Sequence, residues 1–171
     1  MASRRVRLLL HQMDYAFGAG GWVVAYSKAL EGLTAGQAAW IPGVGSSEGP
    51  IPGANSIWQM TNHLAFWKEL ITRRIHGAPL AGPRIRNQDT FGLADPRDEE
   101  GWKAAVQRLY TAHQSMREAV AQLRDAQLEQ PLSGESTPLG TVLAELNLHD
   151  AYHLGQILLT RKLQHRWKDR E

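Results

Sequence analysis

An all-α four-helix bundle is the fold this sequence predicts, and three observations predict it. Four long stretches carry apolar residues at alternating steps of three and four, the period of a helix with one buried face. No stretch alternates apolar and polar residues over the length of a strand. Two connections rich in Gly and Pro, residues 33–55 and 77–95, separate the periodic stretches. At 171 residues, 43% hydrophobic and 21% charged, the chain fits one domain spanning 1–171 with a proper core.

The first helix is expected over residues 3–32, its inward stripe running Leu8, His11, Tyr15, Gly18, Trp22, Tyr26, Ala29 and Leu33. Gly18, Gly20 and Gly21 interrupt it, each costing roughly 1 kcal/mol against alanine, so a kink or a close approach of another backbone is expected there. The stretch 33–55 reads as a long ordered loop. Ser56, with Gln59 three residues later, forms a capping-box pattern that starts the second helix, Ile57 to His76. Its stripe is Ile57, Met60, His63 or Leu64, Trp67 and Ile71. The connection 77–95 could span about 60 Å fully extended, about twice the length of a 20-residue helix. It can therefore cross to the far end of the bundle.

Asp95 as N-cap and Pro96 at the first position begin the third helix, expected to reach Gln127. Its stripe is Trp102, Val106, Leu109, His113, Met116, Val120 and Leu123. Thr137-Pro138 opens the fourth helix, which runs to about Gln164 with the stripe Leu139, Val142, Leu146, His149, His153 and Ile157.

That last stripe carries the chemistry. His149 and His153 lie at i and i+4, so their rings stand on one helix face and can converge on a single metal ion. A catalytic zinc site needs three protein ligands and a structural one four, so another helix must contribute. His11, His63 and His113 all qualify by periodicity, and nothing in the spacing chooses among them. His76 and His165 sit at helix ends, where capping or solvent explains them.

Composition narrows the function. The net charge of +2 is too mild for nucleic-acid binding, and no Lys/Arg run interleaved with aromatics occurs. Arg161, Lys162, Arg166, Lys168 and Arg170 suit the C-terminal end of a helix dipole. Leu8-Leu9-Leu10 after Arg4, Arg5 and Arg7 is too short an apolar run for a signal sequence, and no membrane span is expected. With no cysteine, disulfides, a cysteine nucleophile and thiolate ligation are all excluded. A cytoplasmic location is the expectation, and any thiol chemistry must use a thiol from outside.

The segment from Asn147 through His149 and His153 to Ile157 resembles the C-terminal motif of the DinB/YfiT-like superfamily of metalloenzymes. The segment from Asn55 through His63 to Lys68 resembles that family's second-helix motif, and Ala29–Thr34 with Gln37–Trp40 resembles its approach to the first loop. The resemblance implies His63, His149 and His153 as metal ligands, in a bundle of up-down-down-up order. It implies one divalent ion, zinc or nickel with iron as a further choice, and a homodimer. Some members of the family transfer or isomerise with the low-molecular-weight thiols bacillithiol and mycothiol.

Three neutral imidazoles leave a divalent ion its full charge, able to acidify a bound water or thiol. The expected function is therefore a metal-dependent hydrolase or thiol transferase acting on a small molecule. The alternative is a non-catalytic metal-binding or dimeric interaction protein, related to stress. Glu145, one turn before His149, is a candidate base or fourth ligand. Gln156 is a candidate to orient a ring or water, and Asn62 and Asp150 adjoin ligands in sequence. Trp22, Tyr26 and Trp58 are candidates for an apolar substrate pocket.

Overall fold

The computed structural model describes residues 2–19, 21–79, 85–165 and 167, and they are helical throughout apart from loops and one isolated bridge, Pro131 to Pro138. Gly20, Gly82, Pro83, Arg166, Lys168 and Arg170 lie outside the described residues. Seven α-helices are described: α1 (Arg4–Asp14), α2 (Tyr26–Ala29), α3 (Ala35–Ala39), α4 (Ile57–Ile75), α5 (Glu99–Ala121), α6 (Asp125–Leu128) and α7 (Leu139–Leu163). The long ones, α1, α4, α5 and α7, bury their stripes in two apolar clusters. Ile57, Trp58, Phe17, Trp102, Leu109, Leu154 and Ile157 belong to the first. Val6, Met13, Ile71, Met116, Val120, Leu139 and Leu143 belong to the second. In chain order, α1 continued by Phe17, and α7, run from the second cluster to the first, whereas α4 and α5 run from the first to the second. The end of α4 and the start of α5 therefore lie in different clusters, Ile71 in the second and Trp102 in the first.

The start of the chain departs from the expected single helix. After Asp14 the helix widens into a π-turn, Tyr15–Ala19, and then breaks. Gly21 adopts φ +139°, open to glycine, and the Tyr15 hydroxyl accepts a hydrogen bond from the Trp22 amide. The break resets the helical phase, so the stripe extrapolated across it fails. Leu8 and His11 are exposed and Trp22 is 99% exposed, while Val6, Leu9, Met13 and Phe17 face the core.

Within 33–55, Thr34 and Gln37 form a capping box that starts α3, a helix missing from the loop expected there. The Glu99 carboxylate accepts from the Ala35 amide at 3.0 Å and so ties the first turn of α5 to α3. That first turn also starts later than expected. Asp95 closes a turn by accepting from the Arg97 amide (2.9 Å), and Asp98 is the N-cap, accepting from Gly101 (2.8 Å). At its other end α5 stops at Ala121, short of Gln127, and the separate α6 follows. By contrast, α4 opens on the expected Ser56–Gln59 capping box, and α7 follows Pro138.

A buried ion pair joins α4 to α7. Lys68 Nζ donates to Asp150 Oδ2 at 2.6 Å, with the two side chains 0% and 1% exposed. Burial pushes the Asp150 carboxyl up, while the adjacent ammonium pulls it back. The Lys68 ammonium also lies 4.8 Å over the Phe17 ring, and the Tyr26 hydroxyl donates to the Asp150 backbone carbonyl at 2.6 Å. A pair this deep persists only because each charge has the other, for an unpartnered one would cost several kcal/mol.

Candidate metal centre

His63 comes from the middle of α4, and His149 and His153 come from successive turns of α7. Their Nε2 atoms converge. His63 Nε2 lies 2.9 Å from His149 Nε2, which lies 3.1 Å from His153 Nε2. The three rings are mutually tilted, with centroids 4.5 to 4.9 Å apart. Ligands at 2.0–2.1 Å in a tetrahedral shell stand about 3.3 Å apart, so a few tenths of an ångström of spreading would admit an ion.

The proton on His63 can be placed by its neighbours. Thr90 ends a 3₁₀ turn, Asn87–Thr90, in the long connection, and its hydroxyl donates to the Asn87 carbonyl at 2.5 Å. With its only proton committed, Thr90 Oγ1 must accept from His63 Nδ1–H, also at 2.5 Å. Nε2 of His63 therefore carries a lone pair aimed at the other two rings. This is the arrangement in which an outer hydrogen bond orients a metal-binding imidazole. Phe91 stacks on the opposite side, 4.2 Å from the His63 ring and 6° from parallel, and Asn62 holds Phe91 by donating to its carbonyl at 3.2 Å. Gly92, at φ +64°, then turns the chain away.

Electrostatics keep the rings neutral. Burial, with the His153 and His149 charges adding to it, pushes His63 down to about 3. Burial and the His149 charge take His153 down to about 4, opposed by the Gln156 side chain and Asp150. Burial and the Lys68 ammonium lower His149 as well. One hydrogen bond reconciles only two of these rings at a time, whereas a single cation could be held by all three Nε2 atoms. The three residues could hold a metal ion, and among the described residues no carboxylate joins their group.

The other candidates are not among the converging imidazoles. Glu145 is exposed. Gln156 sits beside His153 and donates to the Tyr152 hydroxyl at 3.0 Å. Asp150 is committed to Lys68. Trp22, Tyr26 and Trp58 do not form one wall: Trp22 is in solvent, Tyr26 is held by Asp150, and Trp58 packs against Trp102 at 5.7 Å. His113 is a core residue stacked on Phe17, and His76 and His165 are exposed. Thr90, Phe91 and Lys68 escape sequence reasoning. A threonine and a phenylalanine in a connection carry no periodic signal, and a lysine on a helix reads as surface.

A helical protein with three convergent imidazoles between two of its long helices is a candidate metal-binding protein. The chain belongs to the DinB superfamily, whose family model matches residues 24–157 and so includes all three histidines. Comparison with curated proteins and with solved structures gave no match. Among the described residues no helix is long and apolar enough to cross a membrane.

Proposed function

We propose that the protein is a metal-dependent enzyme in which His63, His149 and His153 hold one divalent ion, zinc or nickel, with iron as a further choice. The convergence of three Nε2 atoms, one of them with its proton placed on the far side by Thr90, carries this reading. Such an ion, when bound, acidifies a ligated water or thiol. The lack of a fourth ligand among the described residues favours a catalytic site over a closed structural one.

Of the two chemistries, transfer of an external low-molecular-weight thiol of the bacillithiol or mycothiol type is better supported than hydrolysis. A carboxylate general base for hydrolysis would have to stand beside the ion, and the described residues place none in the group. The chain itself has no cysteine, so the sulfur must arrive with the substrate. Its own residues orient the site through Thr90, exclude water with Phe91, and leave half-buried His149 as the most open ligand. We place the enzyme in the cytoplasm, where thiols stay reduced, as a homodimer.

Elemental analysis of untagged protein tests the proposal. About one metal ion per chain is expected in the wild type and none in His63→Ala. Thr90→Val keeps the ligands and is expected to weaken affinity by about 10- to 100-fold. Wild-type protein that takes up none of the three metals would overturn the reading.

A further inference from the structure

The outward face of α7 is built like a helix interface. A helix that is apolar all round normally has both faces covered. The inward face of α7 carries the core and the histidines, yet Leu148, Tyr152 and Leu159 on the outward face are 72%, 63% and 58% exposed. With Glu145, Gly155 and Lys162 they form one exposed row, Glu145, Leu148, Tyr152, Gly155, Leu159, Lys162, at steps of three and four. That spacing is the seam of a coiled coil. Isolated exposed leucines need no explanation, but a continuous row at this spacing does.

The row is also symmetric about the bond between His153 and Leu154. Turned end for end, it matches Leu148 with Leu159, Tyr152 with Gly155, and Glu145 with Lys162. Two copies of α7 in antiparallel contact would thus set leucine on leucine, the large ring over the glycine, and a carboxylate beside an ammonium at each end. A twofold interface requires this kind of self-complementarity, in which each residue of a pair meets the other across the axis. Gly155 adds a separate observation. Mid-helix glycine costs about 1 kcal/mol against alanine, and nothing lies within 4 Å of where its Cβ would stand. Nothing among the described residues calls for glycine there, whereas a tyrosine ring from a facing helix would.

We infer that this face docks a second copy of the same chain, α7 against α7 in antiparallel register, with the twofold axis beside His153. The inference gives an interface to the homodimer proposed above and rests on that part of the reading alone, not on the metal. Tyr152 takes part in both regions, since its ring lies 5.0 Å from that of His153. Docking therefore covers the rim of the histidine cluster in each copy.

The absence of native cysteine makes the register testable by cross-linking. Sedimentation of the full chain is expected to show a dimer, with Leu148→Glu raising its dissociation constant by about tenfold or more. Circular dichroism checks that the helices survive in each variant. After mild oxidation the double variant Leu148→Cys with Leu159→Cys is expected to become a covalent dimer, while each single variant stays unlinked. A monomeric wild type, or linkage within Leu148→Cys alone, would overturn the inference. Metal content read on the same samples, with His63→Ala expected to remain dimeric, separates failure of the interface from failure of the metal site.

Discussion

His63 and His113 are near twins with different prospects. Each is buried, each stacks on a phenylalanine (Phe91 at 4.2 Å, Phe17 at 3.6 Å), and burial pushes each down to about 3. The difference is in what their nitrogens meet. His63 gives its Nδ1 proton to Thr90 and turns its lone pair on two more imidazoles. Nδ1 of His113 has no hydrogen-bond partner among the described residues, and beyond Phe17 lies the Lys68 ammonium, which repels a cation. Burial and a depressed pKa thus mark a histidine as neutral, and only convergence with others marks it as a ligand.

Removing one ring from each environment is the sharpest way to break that comparison. His153→Ala is expected to abolish stoichiometric metal. His113→Ala keeps it in full while losing about 1–3 kcal/mol of stability. Metal analysis beside urea denaturation reads both, and equal metal loss in the two variants would erase the distinction.

Next in size is the buried ion pair whose ammonium acts on His113 and His149. Lys68→Met strands the Asp150 carboxylate and is expected to cost about 3–5 kcal/mol. Adding Asp150→Leu recovers most of it, and a double-mutant cycle measures the coupling. Additive losses would show that the pair does not act as a unit.

A third effect is a pH dependence. His113 has its folded pKa lowered to about 3 from the ordinary 6.5. Below pH 6.5 the unfolded chain takes up a proton that the folded chain refuses, so stability falls with pH and levels off near 3. Between pH 6.5 and 4 this one group is expected to account for about 3 kcal/mol. Denaturation midpoints of His113→Phe against wild type across that range isolate it. Parallel pH profiles in the two proteins would place the dependence elsewhere.

What was legible in the sequence follows the same division between local and distant causes. Ser56 with Gln59, Pro138 and the His149–His153 spacing act within one or two turns, and the structure has them as read. The partner for that pair was not legible from periodicity, which left His11, His63 and His113 equal. Family resemblance selects His63, and its ring lies against the pair. His11 failed because the break at Gly21 resets the phase of the first stripe. Thr34 with Gln37 carries the same signature as Ser56 with Gln59, so α3 could have been found. Lys68 and Thr90 could not, since their partners are 82 and 27 residues away.

The distance along the chain between the ligands has a kinetic meaning. His63 and His149 are 86 residues apart, with the long connection, α5 and α6 between them in the chain. Contacts of such separation form late, because loop closure opposes them until much of the chain is ordered. An ion held by all three rings would therefore join a nearly finished structure. It would do little to hasten folding, and would instead slow the escape from the native state.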